Sequence, residues 1–163
     1  MKHGTLIFFC GKMGAGKSTL AKQIAEEING ILFSEDDWLA ALYPTEIKTF
    51  DDYIKYSSRL KPLLSSLICE ILKLGNSVVM DFPGNTRNLR KYFKSIIHNS
   101  GVDHKLIYLK ATDEVCLTRL ARRRIESPER AHFDTEAVFH RVTGFFQEPR
   151  EDEGFEVEII PQR

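Results

Sequence analysis

Short apolar runs alternate along this chain with segments whose apolar residues recur at helical spacing. Leu6, Ile7, Phe8, Phe9 and Cys10 are consecutive and end at a glycine, a pattern suited to a strand buried on both faces. From Ser18 to Ile28 the apolar positions Leu20, Ile24, Ala25 and Ile28 follow a helical period, and Asn29-Gly30 supplies a stop. Ile31 to Phe33 predicts a second strand, followed by the acidic cluster Glu35, Asp36, Asp37 and a short helix through Leu42 that Pro44 ends. A long helical segment runs from about Asp51 to Leu74, with a break or kink expected at Pro62. Ser77 to Asp81 predicts a third strand, Asn88 to His98 a helix, Lys105 to Lys110 a fourth strand, and Asp113 to Arg124 another helix. A polar, Arg-rich stretch to about Phe133 precedes a helix from Asp134 to roughly Phe146. Phe155, Val157 and Ile159 alternate as a last strand. Strands alternating with helices imply parallel pairing through helical crossovers, hence a three-layer αβα fold with a mainly parallel five-stranded sheet.

Composition narrows this picture in three ways. The 163 residues, 42% hydrophobic and 28% charged, suit one soluble domain spanning 1–163 with a core of its own. Lys plus Arg and Asp plus Glu balance at 23 each, which argues against a dedicated nucleic-acid coat or membrane-surface protein, because both need a basic excess. Cys10, Cys69 and Cys116 are odd in number, far apart and set among apolar residues, so they read as buried thiols in a reducing compartment. No apolar run is long enough to span a bilayer, and a cytoplasmic location without membrane partners is the expectation. The acidic stretch Glu148, Glu151, Asp152, Glu153 reads as a solvated loop, and nothing in the sequence sets an oligomeric state.

The strongest chemical signal is Gly11-Lys12-Met13-Gly14-Ala15-Gly16-Lys17-Ser18, which meets every fixed position of GxxxxGK[ST]. It follows a predicted buried strand and opens a predicted helix, so successive backbone N–H groups and a helix N-terminus converge on one anion. Gly11, Met13, Gly14, Ala15, Gly16, Lys17, Ser18 and Thr19 are therefore the candidate nucleotide-binding residues. Lys17 would reach the β- and γ-phosphates, and the Ser18 hydroxyl would ligate Mg²⁺. The ligand expected is ATP or GTP.

Transfer of a phosphoryl group to a hydroxyl needs a carboxylate to direct the proton and cations to absorb charge. Asp36 and Asp37 follow the second strand, where a parallel sheet opens its ligand crevice, although capping of the next helix is the plainer role for either. Asp81 ends the apolar strand Val78-Val79-Met80 beside the phosphate turn, where it would bind magnesium or hold substrate. Arg119, Arg122, Arg123 and Arg124 lie on one helix leading into the polar segment, so residues 119–133 form a candidate lid, with Arg123 or Arg119 the expected phosphate contact. Trp38 and Tyr43 either stack on a substrate or pack beside the short helix.

With these residues in order, the chain resembles the P-loop kinase group that includes predicted small-molecule kinases, polynucleotide 5′-hydroxyl kinases, zeta toxins and chloramphenicol phosphotransferase. The resemblance rests on the turn at 11–18, Ser34-Glu35-Asp36-Asp37-Trp38-Leu39, Val78-Val79-Met80-Asp81 followed by Asn85, the arginine helix, and Phe146-Gln147-Glu148-Pro149 leading to Glu153-Gly154-Phe155. It implies a P-loop NTPase fold, Asp36 as catalytic base, Asp81 on substrate or magnesium, and Arg123 on the phosphates. A second alignment, through Pro44, selects Asp37 as the base instead. Many relatives carry Arg where this chain has Leu39, which turns the expected acceptor from an anionic one toward a neutral small-molecule hydroxyl. A polynucleotide acceptor is the less favoured enzyme, and a nucleotide-binding regulatory or toxin-related protein the alternative outside catalysis.

Overall fold

The computed structural model describes residues 3–163. Along the chain lie β1 (Thr5–Cys10), α1 (Lys17–Glu27), β2 (Ile31–Ser34), α2 (Glu35–Leu42), α3 (Phe50–Lys73), β3 (Val78–Pro83), α4 (Arg87–Ser100), β4 (Asp103–Lys110), α5 (Asp113–Glu126), α6 (Glu136–Thr143) and β5 (Val157–Pro161). Single turns of 3-10 helix sit at Pro128–Arg130 and Glu151–Glu153. The five strands form one sheet in the order β2-β3-β1-β4-β5, and every pairing is parallel. Successive residues of β1 point to opposite faces. Leu6, Phe8 and Cys10 enter a core with α3 and α4, whereas Ile7 and Phe9 enter a second core with α1, α5 and α6. The continuous apolar run is thus explained by burial on both faces.

Where β1 meets β3 the register slips: Phe8 pairs with Met80, but Phe9 pairs with Pro83. This bulge bends β3 at Asp81, at the carboxyl edge of the sheet where α/β folds bind ligands.

Four expectations are corrected. Pro62 does not break the long helix, since α3 runs unbroken from Phe50 to Lys73. Pro62 is exposed while Leu60 and Leu64 are buried, so water can satisfy the carbonyl it frees and the core holds both neighbouring turns. Replacing Pro62 by Ala is expected to raise stability by about 1–2 kcal/mol, because the helix regains an N–H donor and loses only the proline's stiffening of the unfolded chain. A denaturant midpoint unchanged or lowered would contradict this.

The last strand presents the opposite face from the one its alternation suggests. Val157 and Ile159 are exposed at the sheet edge, while Ile160 packs into the second core and Phe155, before the strand, packs into the first. The acidic stretch is not wholly solvated either. Glu153 is buried and paired with Arg90, which is itself fully buried in α4. Finally, the helix expected from Asp134 spans only Glu136–Thr143; Thr135 caps it, and Asp134 lies before it with no exposed surface. The three cysteines are buried free thiols. Among the described residues no helix is long and apolar enough to cross a membrane.

Candidate functional site

The turn between β1 and α1 has the conformation its glycines permit. Gly14 and Gly16 take φ of 78° and 103°, in the left-handed region that favours glycine, and a Cβ on Gly14 would stand 2.7 Å from the Cys116 carbonyl oxygen. Gly16 is the N-cap of α1, whose first amides have no side-chain cap and whose first turn carries no acid. Uncapped amides at a helix N-terminus suit an anion. Within the turn the Ala15 N–H bonds the Lys12 carbonyl at 3.1 Å, and Met13 packs against the second core. Ser18 and Thr19 are exposed on the first turn of α1.

Lys17 curls back over the turn, donating to the Gly11 carbonyl and, at 3.0 Å, to the Lys12 carbonyl. Burial holds its ammonium below the usual lysine range, while the neighbouring Cys10 and Asp81 push it back up. A desolvated cation in a cradle of amides gains most from an arriving polyphosphate. Burial also pushes the Cys10 thiol up to about 11 despite Arg90 and Lys17 nearby.

Asp81 completes this corner. Burial raises its carboxyl above the usual range and the charge of Asp36 adds to that, while the Ser18 hydroxyl, Lys17 and Lys22 draw it back. Asp81 of β3 thus feels Asp36 of α2 and Lys17 and Ser18 at the start of α1, across the carboxyl edge of the sheet. The acidic cluster divides by position. Ser34, not an acid, caps α2 by accepting the Asp37 N–H at 3.3 Å. Glu35 is buried, accepting from the Tyr53 hydroxyl and from the Ser57 hydroxyl at 2.8 Å, which ties α2 to α3; burial raises its carboxyl. Asp36 is exposed and takes Arg130 Nη1 at 3.3 Å. The Asp37 carboxylate is exposed and makes no hydrogen bond to another side chain among the described residues.

The arginines separate in the same way. Arg119 donates to the Ala15 carbonyl at 2.8 Å and to Gln162 at 3.4 Å, so it lies against the turn. Arg123 makes two bonds of 2.6 Å to Asp134, and its charge contributes to holding Lys17 low. Arg124 donates to the Asp134 backbone carbonyl, and Arg122 pairs only with Glu126 in solvent. Arg130, 3.6 Å from Asp134 and 3.3 Å from Asp36, bridges the polar segment to α2.

Sequence reasoning missed Arg130, Asp134 and the buried role of Glu35. The only signal for Asp134 was its place just before a capping threonine, and nothing singled out Arg130 among the basic residues. Of the two aromatics beside the acidic cluster, Trp38 stacks on Phe33, and Tyr43 lies tilted against Tyr56.

A parallel sheet flanked by helices, with a phosphate turn after its central strand, defines a P-loop kinase fold. Residues 6–149 match the AAA domain family, and the chain belongs to it. An adenylate kinase of Rickettsia typhi is 27% identical over 127 residues, 72% of this chain and 58% of that protein. A shikimate kinase of Francisella philomiragia is 29% identical over 116 residues, 71% of this chain and 63% of that protein. The chain thus spans about three fifths of the length of these curated relatives. Among solved structures, the APS kinase CysC of Mycobacterium tuberculosis, in complex with AMPPNP and APS, superposes with a TM-score of 0.67 at 16% identity, covering 99% of this chain and 90% of that one. At that identity the likeness speaks to the fold.

Proposed function

We propose that the protein is a phosphotransferase that moves the γ-phosphoryl group of ATP or GTP to a hydroxyl of a small molecule. The observation that carries this reading is the convergence of Lys17, Ser18, Asp81 and Asp36 at the mouth of an uncapped helix. The turn amides and Lys17 take the β- and γ-phosphates, and Arg119 lies along the nucleotide. Arg123, held in place by Asp134, presents a pre-oriented cation to the transferring group. Residues 119–133 act as the lid within a single domain, and Arg130 moves with it between Asp36 and the phosphoryl oxygens.

Ser18 and Asp81 offer hard oxygen donors, and a carboxyl raised by burial gains from a cation, so the pair suits Mg²⁺. When bound, that ion neutralises charge on the phosphate oxygens. Asp36 directs the acceptor hydroxyl and receives its proton as the oxygen attacks phosphorus. Asp36 is favoured over Asp37 because its charge is felt at Asp81 and it faces Arg130, whereas Asp37 lies outside that set. The relatives named adenylate kinase and shikimate kinase support a small acceptor. Leu39, expected from sequence to bear on the acceptor's charge, is instead buried in the first core and gives no guide to it.

The direct test is a mass-spectrometric screen of metabolites for species that gain a phosphoryl group only with ATP and active protein. Nucleotide binding without any phosphorylated product across a broad extract would favour a regulatory role instead. Within the enzyme reading, Asp36→Asn is expected to lower turnover by roughly 10²–10⁴-fold, and Asp37→Asn by less than about tenfold. The reverse order in steady-state rates would move the base to Asp37.

A further inference from the structure

The phosphate turn is fastened at its first residue by a side chain from a distant loop. The pairing of β1 with β3 ends at Phe9 and Pro83, and beyond it the Gly11 N–H donates to Asn85 Oδ1 at 2.9 Å. The carbonyl of the same glycine accepts Lys17 Nζ. Asn85 and Lys17 therefore grip opposite ends of one residue.

Asn85 is itself held. The Gln147 N–H donates to the Asn85 carbonyl at 2.9 Å, and the Arg87 N–H donates to Gln147 Oε1 at 2.9 Å. Buried Arg90 joins the two sides of this clasp, donating through Nη1 to the carbonyls of Gly84 and Gln147, each at 2.9 Å. The loop after β3 is thus locked from below. Beside the bulge that carries Asp81, it offers one short oxygen acceptor to the phosphate turn.

We propose that Asn85 is a positioning residue for nucleotide binding: its amide oxygen fixes Gly11, and through the Gly11 carbonyl it sets where the Lys17 ammonium stands before a triphosphate arrives. This rests on the reading of residues 11–18 as the triphosphate cradle. An amide suits the position because it accepts the N–H without adding charge. Aspartate would accept equally well but bring a negative charge to a site that must attract anions. Alanine would leave the Gly11 N–H unpaired in a partly buried setting, and the turn would lose its fixed start.

The test compares wild type with Asn85→Ala and Asn85→Asp, with Arg87→Ala as a control. Arg87 contributes its side chain only to an exposed pair with Asp152. Calorimetric titration with ADP is expected to show Kd raised about tenfold in Asn85→Ala and unchanged within twofold in Arg87→Ala. In the ligand-free protein the Gly11 amide should exchange slowly in wild type and in Asn85→Asp, and fast in Asn85→Ala. Asn85→Asp should bind ADP more weakly than wild type at low salt, and the gap between the two should narrow as salt rises, a signature of the added charge.

ADP affinity within twofold of wild type in folded Asn85→Ala overturns the proposal. Should that variant fail to fold, Asn85→Ser, whose shorter side chain cannot span to the Gly11 N–H, takes its place, and ADP affinity within twofold of wild type there overturns the proposal equally. Absence of nucleotide binding by wild type would remove the cradle reading on which the proposal rests, whereas wild-type binding with unaffected variants would remove the role of Asn85 alone.

Discussion

Replacing Lys17 by Ala is expected to reduce phosphoryl transfer by at least about 10³-fold and to weaken nucleotide binding severely, while the folded protein keeps its thermal midpoint within a few degrees. Both halves follow from one circumstance. Lys17 is half-buried and its ammonium is held below the usual range, so its charge carries a desolvation cost that the Gly11 and Lys12 carbonyls offset. Truncation removes the cost together with the two bonds, and the balance for folding is small. For a bound triphosphate there is no such balance, since charge developing on the β–γ bridge and γ-oxygens loses its nearest cation. Rates of product formation and a thermal melt on the same sample separate the effects. Full turnover in the variant would refute the cradle, and a collapsed melt would assign Lys17 to the fold instead.

The largest loss of stability is expected from Glu153→Ala. Arg90 has no exposed surface, and Glu153 accepts its Nε at 2.8 Å and its Nη2 at 3.1 Å, as well as the Arg150 N–H at 2.8 Å. Removing the carboxylate leaves a guanidinium unpaired in the core, a change that costs about 3–5 kcal/mol. In a chain of this size that is a fall in Tm of roughly 10 °C. The double variant Arg90→Leu with Glu153→Leu should recover much of the loss, because no buried charge then remains. A single variant within a degree of wild type would mean that water reaches Arg90 easily.

Acidity offers an independent view of the same pair. Burial alone would raise the Glu153 carboxyl, but the bonds from Arg90 and the Arg150 N–H, with the Arg90 charge, outweigh it and hold the group below its ordinary 4.5. A depressed carboxylate stabilises fully above its unfolded value and loses that contribution as pH falls through the folded one. Its loss therefore belongs to the acid limb, below pH 4.5.

What could be read from sequence is what local chemistry imposes. Gly11 to Ser18 has glycines where φ is positive, and β1 is apolar through Leu6–Cys10 because both its faces are covered. The divisions within the site could not be read in that way. Asp36 and Asp37 are neighbours in the same polar cluster, and what distinguishes them comes from Asp81 and from Arg130, 94 residues on. Asn85 meets Gly11 across 74 residues, and Arg90 meets Glu153 across 63. Arg90 did leave one trace, since it shares a helical face with Phe93 and Ile97, where a charge demands a buried partner. The outward turn of Val157 and Ile159 was hidden because period-two alternation identifies two faces without saying which is covered.

The position of β1 bears on how the chain is made. It precedes every partner in synthesis order yet ends in the middle of the sheet, flanked by β3 and β4. Leu6 cannot find Val78, nor Thr5 find Asp103, until those residues have left the ribosome, and until then a wholly apolar segment has both edges free. The nascent polypeptide thus carries its stickiest segment longest without shelter, and the phosphate turn attached to it takes its final shape only after the translating ribosome has passed Asn85.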